Sequence, residues 1–245
     1  MNKIIESHKA FENLDLNRLK NAKKEKAPFT EKIFVQTLPE KKLTVTKNFG
    51  KQTIKELLTE RKSIRDYSNK AITFMQLSNI LHYSYGIKNY RDNAYNQKKY
   101  PISYSPSAGG LQPFDVYVFV SKVEDLETGL YYYSPMKDSL LQIYRGRPEL
   151  DLAEYYISDF PIYAAVNIFI VSNIQRFEWK YGYRGYRFAN IDCGILAENI
   201  CLLSVSQKLG SCMIAAFSNE KVSEILNLSD FELPLLAISI GDYDE

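Results

Sequence analysis

Residues 180 to 217 read KYGYRGYRFANIDCGILAENICLLSVSQKLGSCMIAAF, and apolar side chains recur there at helical spacing on almost every face. The spacing predicts one long helix from Tyr186 to Leu209. Because this helix is apolar nearly all round, it belongs in a core or in an interface. Gly210 is expected to end the helix as its C-cap residue, and Ser211 to Phe217 to form a short buried strand or turn.

Small residues form one stripe of the predicted helix. They repeat every four positions, at Ala189, Cys193, Ala197 and Cys201, and Gly194 adjoins them. Small side chains on one helix face let another backbone come close. The stripe is equally compatible with packing on the chain's own sheet and with packing on a twin helix across a dimer axis.

The length and composition favour one large α+β domain with an N-terminal extension. The chain has 245 residues, of which 45% are hydrophobic and 24% are charged, and these fractions are ordinary for a globular protein. We therefore expect an extension or arm over residues 1 to 50 and the domain over residues 51 to 245. The net charge of +2 is too small to argue for a nucleic-acid partner.

The sequence also favours a cytoplasmic protein without a metal or a membrane span. No uninterrupted apolar run reaches the about 20 residues that a span needs, and the N-terminus lacks the hydrophobic region of a signal peptide. Cys193, Cys201 and Cys212 form no C-x-x-C pair, so reduced, buried thiols are expected. His8 and His82 leave almost no material for a His-based zinc site or a Ser-His-Asp triad.

Each of two N-terminal segments is compatible with two interpretations. The basic run from Lys20 to Lys26 is either a solvated surface or a docking patch. Residues Val35 to Thr46, broken by Pro39, form either edge strands or an arm wrapped on a partner.

Hydrophobic periodicity and turn signals predict the other elements. Helices are predicted at Lys51 to Arg61, Phe74 to Tyr85, Pro148 to Tyr156 and Asn219 to Leu226. Strands are predicted at Val116 to Val120, Gly129 to Pro135, Ser139 to Tyr144, Ala164 to Val171 and Leu233 to Ile240. Asn89 to Tyr104 is polar and irregular, which indicates a loop or lid.

Two short motifs suggest ligand binding. In RKSIR, Arg61, Ser63 and Arg65 project from one side of an extended stretch, and two guanidiniums with a hydroxyl suit a phosphate monoester. A surface charge cluster near a helix end is the alternative. In PSAGGLQPF, from Pro106 to Phe114, small residues would let backbone amides approach something flat or anionic; a tight turn before a strand is the alternative.

The order and spacing of RKSIR, PSAGGLQPF and the long helix leading into LGSCMIAAF resemble the nitroreductase family of flavin-dependent oxidoreductases. The strands GLYYYSP and SLLQIYRG and a Lys-Tyr pair ahead of the helix more narrowly resemble the SagB-type dehydrogenases, the azoline oxidases of modified-peptide biosynthesis. The resemblance implies an α+β fold with a central mixed or antiparallel sheet flanked by helices. It also implies an intertwined homodimer with two FMN sites at the subunit interface.

The resemblance also implies roles for single residues. Arg61, Ser63 and Arg65 would hold the FMN phosphate and ribityl chain, and the backbone of Ala215 and Ala216 would face the reactive edge of the flavin. The far side of the flavin would be covered by a loop of the partner subunit, with Pro106, Ser107, Ala108, Gly110 and Gln112. Many relatives have a basic residue after the final strand, whereas this chain has Asp242, Tyr243, Asp244 and Glu245.

The chemistry implied is oxidation of a peptide thiazoline or oxazoline to the azole. The catalytic pair would be Lys180 and Tyr181, and Lys180 would act as a base near neutral pH only if burial or a neighbouring cation such as Arg184 lowered its pKa. A cyclodehydratase partner would supply the azoline peptide, and the basic N-terminal segment could dock that partner. An NAD(P)H-dependent reductase of the same family and a scaffold subunit without catalysis are the alternatives.

Overall fold

The computed structural model describes residues 3–10, 15–22, 24–28, 31–48, 50–146 and 154–244. The helices are α1 (Lys3–Ala10), α2 (Leu16–Ala22), α3 (Ile54–Glu60), α4 (Phe74–Tyr85), α5 (Ile174–Tyr181), α6 (Arg184–Ser206) and α7 (Asn219–Ile225). The strands are β1 (Glu40–Lys42), β2 (Ile87–Ala94), β3 (Gln97–Ser103), β4 (Phe114–Val120), β5 (Gly129–Ser134), β6 (Ser139–Arg145), β7 (Val166–Asn173), β8 (Gly210–Ile214) and β9 (Glu232–Gly241).

Seven of these strands form one sheet in the order β1-β6-β5-β4-β7-β9-β8, and β2 and β3 form a separate hairpin. All neighbouring strands of the large sheet run antiparallel to one another. The predicted α+β class is therefore confirmed, and of the two sheet types that the resemblance implied, the antiparallel one is found.

The central strand β4 is buried on both faces because apolar residues alternate between two cores. Val116 and Val118 point into a core that α4 and α6 cover. Tyr117 and Phe119 point into the core on the other side of the sheet, which α7 covers through Val222. A sheet covered on both faces holds the segments at its edges in fixed positions.

Helix α6 packs its small stripe within the chain. The stripe residues are all buried (Ala189, Cys193, Ala197 and Cys201), and Cys193, Ala197 and Cys201 belong to the core shared with the sheet and α4. The cysteines are free, and burial raises the pKa of Cys193 to about 12 and that of Cys201 to about 11. Of the two interpretations of the stripe, packing on the chain's own sheet is therefore the one observed.

The predicted C-cap at Gly210 is wrong. Helix α6 ends at Ser206 with Gln207 as its C-cap residue, and Lys208 takes the left-handed conformation with φ 59°. Gly210 instead begins β8, where a Cβ would lie 2.7 Å from the side chain of Ile64. The glycine serves the close approach of the RKSIR segment to β8, not the end of the helix.

The segment from Glu31 to Asn48 lies on the sheet. The Lys32 amide donates to the hydroxyl of Tyr132 at 2.8 Å, and the Lys32 amine donates to Glu232 Oε1 at 2.8 Å. Further along, β1 pairs with β6. Of the two interpretations of Val35 to Thr46, an edge strand is therefore found, while the domain boundary at residue 50 stays a prediction.

Two other expectations differ from the structure. The predicted loop from Asn89 to Tyr104 is mostly the β2–β3 hairpin. The predicted helix from Pro148 to Tyr156 falls largely on residues 147–153, which lie outside the described ranges, and residues 154–156 form a turn and a bridge to Phe217.

Among the described helices, α6 alone is long and apolar enough to cross a membrane, and 44% of its most apolar window is buried inside the chain, as in a core helix.

Candidate functional site

The RKSIR segment runs beside the first residues of β8. Helix α3, which begins at a Thr53–Glu56 capping box, ends just before it. Ser63 then forms a parallel bridge with Ser211, and the Ile64 amide donates to the Ser211 carbonyl at 3.0 Å. The extended conformation predicted for this segment is therefore confirmed.

Ala215 and Ala216 follow β8 and are exposed. Four residues separate Ser211 from Ala215, which corresponds to about 13 Å along a strand. The basic segment predicted for the phosphate thus pairs with the strand that leads to the small residues predicted for the flavin edge.

Both arginines of the basic segment are accessible to a ligand. The Arg61 side chain is 36% exposed, and its Nε lies 3.8 Å from Glu198 Oε1, which is a long ion pair. The Arg65 guanidinium lies 5.8 Å from the ring centroid of Phe160, and Ser63 is exposed. Neither guanidinium is held in a buried ion pair, so both can turn to an anion.

Asp242, the first acidic residue after the final strand, contacts groups other than these arginines. Asp242 accepts hydrogen bonds from the Ser68 hydroxyl at 2.7 Å and from the Lys70 amine at 3.3 Å. The Lys62 amine lies 5.7 Å from the ring centroid of Tyr243. Glu245 lies outside the described residues. The acidic residue nearest the final strand is thus neutralised by its own neighbours.

The PSAGG loop is a tight turn fastened from three sides. Gly109 and Gly110 have φ 66° and 72°, which glycine adopts readily. The Ala108 amide donates to Asp192 Oδ2 on α6 at 2.8 Å. The Gln112 amide donates to the Ser107 hydroxyl at 3.0 Å, and the buried Gln112 side chain donates to the Pro101 carbonyl at 2.8 Å. The Gln112 side chain therefore fastens the loop to β3.

Lys180 and Tyr181 lie against this loop. The Lys180 amine donates to the Tyr95 hydroxyl at 2.7 Å, and the Tyr95 hydroxyl donates to the Gly109 carbonyl. A Cβ on Gly109 would lie 2.6 Å from Lys180 Nζ, 2.7 Å from the Tyr181 hydroxyl oxygen and 2.9 Å from the Tyr95 hydroxyl oxygen. Three polar side chains thus converge on one glycine of the loop.

Tyr95 is the residue of this cluster that the sequence did not reveal. It lies at the turn of the β2–β3 hairpin, where Tyr95 and Asn96 both have positive φ. The chain has 19 tyrosines, so residue type alone cannot single one out. A Tyr-Asn pair between two polar segments is the only local signal, and it indicates a turn rather than a site.

The pKa of Lys180 is raised, so the lowered pKa that would make this lysine a base near neutral pH is not found. Burial by itself lowers this pKa, but the hydrogen bond that Lys180 donates to Tyr95 and the adjacent Tyr181 raise it above its usual value on balance. The pKa of Tyr181 is also raised, because burial outweighs the opposing effect of Lys180. The predominant state near neutral pH is therefore an ammonium at Lys180 beside the neutral phenol of Tyr181.

The two groups of residues form separate half-sites in one chain. No hydrogen bond or ion pair found among the described residues joins Arg61, Ser63, Arg65, Ala215 or Ala216 to the PSAGG loop or to Lys180 and Tyr181. Helix α6 touches both half-sites, through Glu198 on one side and Asp192 on the other. These two residues are about 9 Å apart along the helix and lie on different faces of it.

The chain is similar to known proteins in both sequence and structure. The nitroreductase family model matches residues 58–242. A Methanocaldococcus jannaschii protein that is provisionally named a nitroreductase is 30% identical over 189 residues, which cover 77% of this chain and 90% of that protein.

Solved structures share the fold. A provisionally named nitroreductase from Anabaena variabilis is similar with a TM-score of 0.70 and 24% identity over 84% of this chain and 42% of that chain, so this chain spans less than half of that protein's length. A chain in the E. coli microcin synthetase McbBCD complex, solved with truncated pro-MccB17 bound, is similar with a TM-score of 0.62 and 16% identity over 99% of this chain and 92% of that chain. At such identities the likeness shows the fold alone.

Proposed function

The chain belongs to the nitroreductase family of oxidoreductases, and on that premise we propose that it is an FMN-dependent dehydrogenase that oxidises peptide thiazolines or oxazolines to thiazoles or oxazoles. The observation that carries this proposal is the placement of Lys180 and Tyr181 against Gly109 of the PSAGG loop. In the proposed enzyme the PSAGG loop would cover the flavin, and the Lys-Tyr pair would be the proton acceptor beside that loop.

The residues present fit FMN in their chemistry. Two accessible guanidiniums and the Ser63 hydroxyl suit a phosphate monoester. Ala215 and Ala216 are exposed and have no long side chain, so backbone amides there can reach a flat ring edge. The resemblance assigns the covering side to Pro106, Ser107, Ala108, Gly110 and Gln112. When bound, FMN supplies the acceptor for a hydride and passes the electrons on to an oxidant such as oxygen.

A homodimer would complete the site from the two half-sites. The half-site with Arg61 and Ala215 would come from one subunit, and the half-site with Gly109 and Lys180 from the other. One face of α6 supports this arrangement, because Ile191 and Ile195 are 51% and 36% exposed there. Gly194 lies on the same face, with nothing within 4 Å of the position of a Cβ. An apolar helix face with a glycine at its centre suits close packing on a second copy.

The chain's own residues would handle a proton. Oxidation of the azoline ring breaks the C–H bond next to the carbonyl, and the free amine of Lys180 would accept that proton. Tyr181 would orient the ring or relay the proton. The neighbouring ring carbon loses its hydrogen as the hydride, which leaves the aromatic azole. Because the pKa of Lys180 is raised, the free amine is the minor form near neutral pH, and the rate would increase with pH.

A peptide substrate and a partner enzyme are supported by the shared fold with a chain of the microcin synthetase complex, which was solved with truncated pro-MccB17 bound. We extend this to a peptide whose azolines are supplied by a cyclodehydratase in the cytoplasm. The basic run from Lys20 to Lys26 would be a docking surface for that enzyme, and deletion of residues 1 to 30, which spares β1, should then weaken association with it.

A reductase of the same family is the second candidate, because the Methanocaldococcus jannaschii relative is provisionally named a nitroreductase. Such an enzyme would take a hydride from NAD(P)H and pass it to a nitro compound, a quinone or an alkene. It would use the same flavin site but would not need a base at Lys180. A scaffold subunit without flavin is disfavoured, because Arg61, Ser63 and Arg65 are accessible to a ligand.

The Lys180→Ala variant separates these candidates. We expect it to retain FMN and to lose azoline oxidation by a factor on the order of 10² to 10⁴, the usual contribution of a general base. Lys221→Ala is the control, because it removes a lysine whose ion pair with Glu154 on the surface contributes little. If neither the native protein nor Lys221→Ala oxidises azoline peptides while both reduce nitro compounds with NAD(P)H, the dehydrogenase proposal is contradicted.

A further inference from the structure

Tyr95 is firmly packed at the turn of the β2–β3 hairpin. Its side chain is buried, with the residue 7% exposed. Its ring contacts Tyr100 edge-on at a centroid distance of 5.1 Å and Trp179 at 5.6 Å. The ring therefore has one position, and the hydroxyl is directed by the packing rather than by its own hydrogen bonds.

The Tyr95 hydroxyl uses both of its hydrogen-bonding capacities at the site. It accepts a hydrogen bond from the Lys180 amine at 2.7 Å and donates its own proton to the Gly109 carbonyl. A neutral phenol can do both at once, and an ammonium has no other role than donor. The hairpin, helix α5 and the PSAGG loop are thus joined at one oxygen atom.

We propose that Tyr95 is a positioning residue that fixes the Lys180 amine over Gly109 of the PSAGG loop. The value of this position for catalysis rests on the proposed function, in which the amine must meet a ring bound under that loop. Lys180 lies at the end of α5 on a flexible four-carbon side chain, which has several rotamers of similar energy. A rigid partner from another element would select one of them, which is the usual task of a group that supports a catalytic residue.

The other groups around Lys180 do not duplicate this contact. Tyr181 also hydrogen-bonds the amine, but it is the next residue on the same helix. The charge of Asp192 on α6 raises the pKa of Tyr181 and is not among the causes that shift the pKa of Lys180. Arg18 on α2 donates to the Glu178 carbonyl at 2.9 Å. Tyr95 is therefore the hydrogen-bond partner that links Lys180 to a different part of the fold.

The Tyr95→Phe variant tests the inference, because it keeps the ring and removes the oxygen. Acetylation of Lys180 by a low concentration of acetic anhydride, followed by peptide mass spectrometry over a range of pH, needs no substrate. The hydrogen bond that the amine donates to Tyr95 favours the ammonium, so its loss should move the onset of Lys180 acetylation to lower pH. Tyr100→Phe is the control: within the described ranges its hydroxyl hydrogen-bonds the Leu111 carbonyl, at 3.5 Å, and not Lys180, so the acetylation profile should not move.

The pH dependence of azoline oxidation gives the second measurement. In Tyr95→Phe the rising part of the pH–rate profile should move to lower pH. The maximal rate should fall on the order of tenfold, because the amine is no longer held in one position. A purely structural role for the hydroxyl would lower stability without moving the profile. An acetylation profile identical to that of the native protein overturns the inference. A shifted acetylation profile in a protein that oxidises no azoline supports the inference and contradicts the proposed function.

Discussion

Lys180 lies so close to Gly109 that a Cβ on the glycine would be 2.6 Å from the amine nitrogen. One residue belongs to the helix before α6, and the other to a loop that precedes β4. Their contact places the predicted proton acceptor on the loop predicted to cover a flavin. The rest of the proposed mechanism depends on this placement.

Gly109→Ala should therefore damage the site directly. The left-handed conformation at φ 66° costs about 1–2 kcal/mol for a residue with a Cβ, and the added methyl must displace Lys180 or Tyr181. We expect a loss of at least about tenfold in kcat/KM with peptide substrate and a lower temperature of unfolding. In the Lys180→Ala background the same substitution should cause a smaller further loss, because the closest contact is gone. Full activity of Gly109→Ala would show that the amine does not work from this position.

Arg61→Gln and Arg65→Gln should each weaken FMN binding. A charge-assisted hydrogen bond contributes about 1.5–3 kcal/mol, so Kd should rise about 10- to 100-fold, as measured by quenching of FMN fluorescence. Lys62→Gln is a control within the same segment, because the Lys62 amine lies over the ring of Tyr243. An equal loss in Lys62→Gln would indicate general attraction to positive charge rather than a site formed by the two arginines.

Ile195→Glu should separate the proposed dimer. A carboxylate buried without a partner at an interface costs about 3–5 kcal/mol, which is more than a hundredfold in the dissociation constant. Sedimentation should show a monomer, and FMN should be lost with the dimer because the half-sites are divided between subunits. Met136→Glu changes another exposed apolar residue, in the β5–β6 turn, and should leave both properties unchanged. A monomeric Ile195→Glu protein that binds FMN with native affinity would contradict the divided site.

The pH dependence should follow the raised pKa of Lys180. If the free amine is the proton acceptor, it is scarce at neutral pH and becomes more abundant as the pH rises toward that pKa. The kcat/KM for azoline oxidation should therefore increase with pH from neutral into the alkaline range, and Lys180→Ala should lose this increase. A rate that falls over the same range would make the ammonium the active form and would exclude Lys180 as the base.

The sequence predicted the elements that are packed in the core. Because α6 and β7 are packed in the core, their apolar residues form patterns that the sequence shows directly. RKSIR was also correctly expected to be extended. The hairpin was missed because β2 is exposed along nearly its whole length, so no alternation of apolar and polar residues marks it. Gly210 was misread because the close neighbour that requires a glycine, Ile64, is distant in the sequence.

The residues of the candidate site that belong to sequence motifs could be predicted, but their arrangement could not. RKSIR and PSAGG each indicate a binding element, but no local pattern shows how the two elements lie relative to each other in the folded chain. For a similar reason, no local pattern predicts that the pKa of Lys180 is raised. The phenol that raises it belongs to Tyr95, 85 positions earlier in the chain, on a hairpin that the sequence does not indicate.

The visible absorbance spectrum of the purified protein, recorded before and after anaerobic addition of an azoline peptide, tests the central claim most directly. We expect a bound flavin that is released on denaturation as FMN and that is bleached by the peptide without NAD(P)H. A colourless protein that does not take up added FMN would contradict the account. A flavoprotein bleached by NAD(P)H but not by the peptide would support the reductase instead.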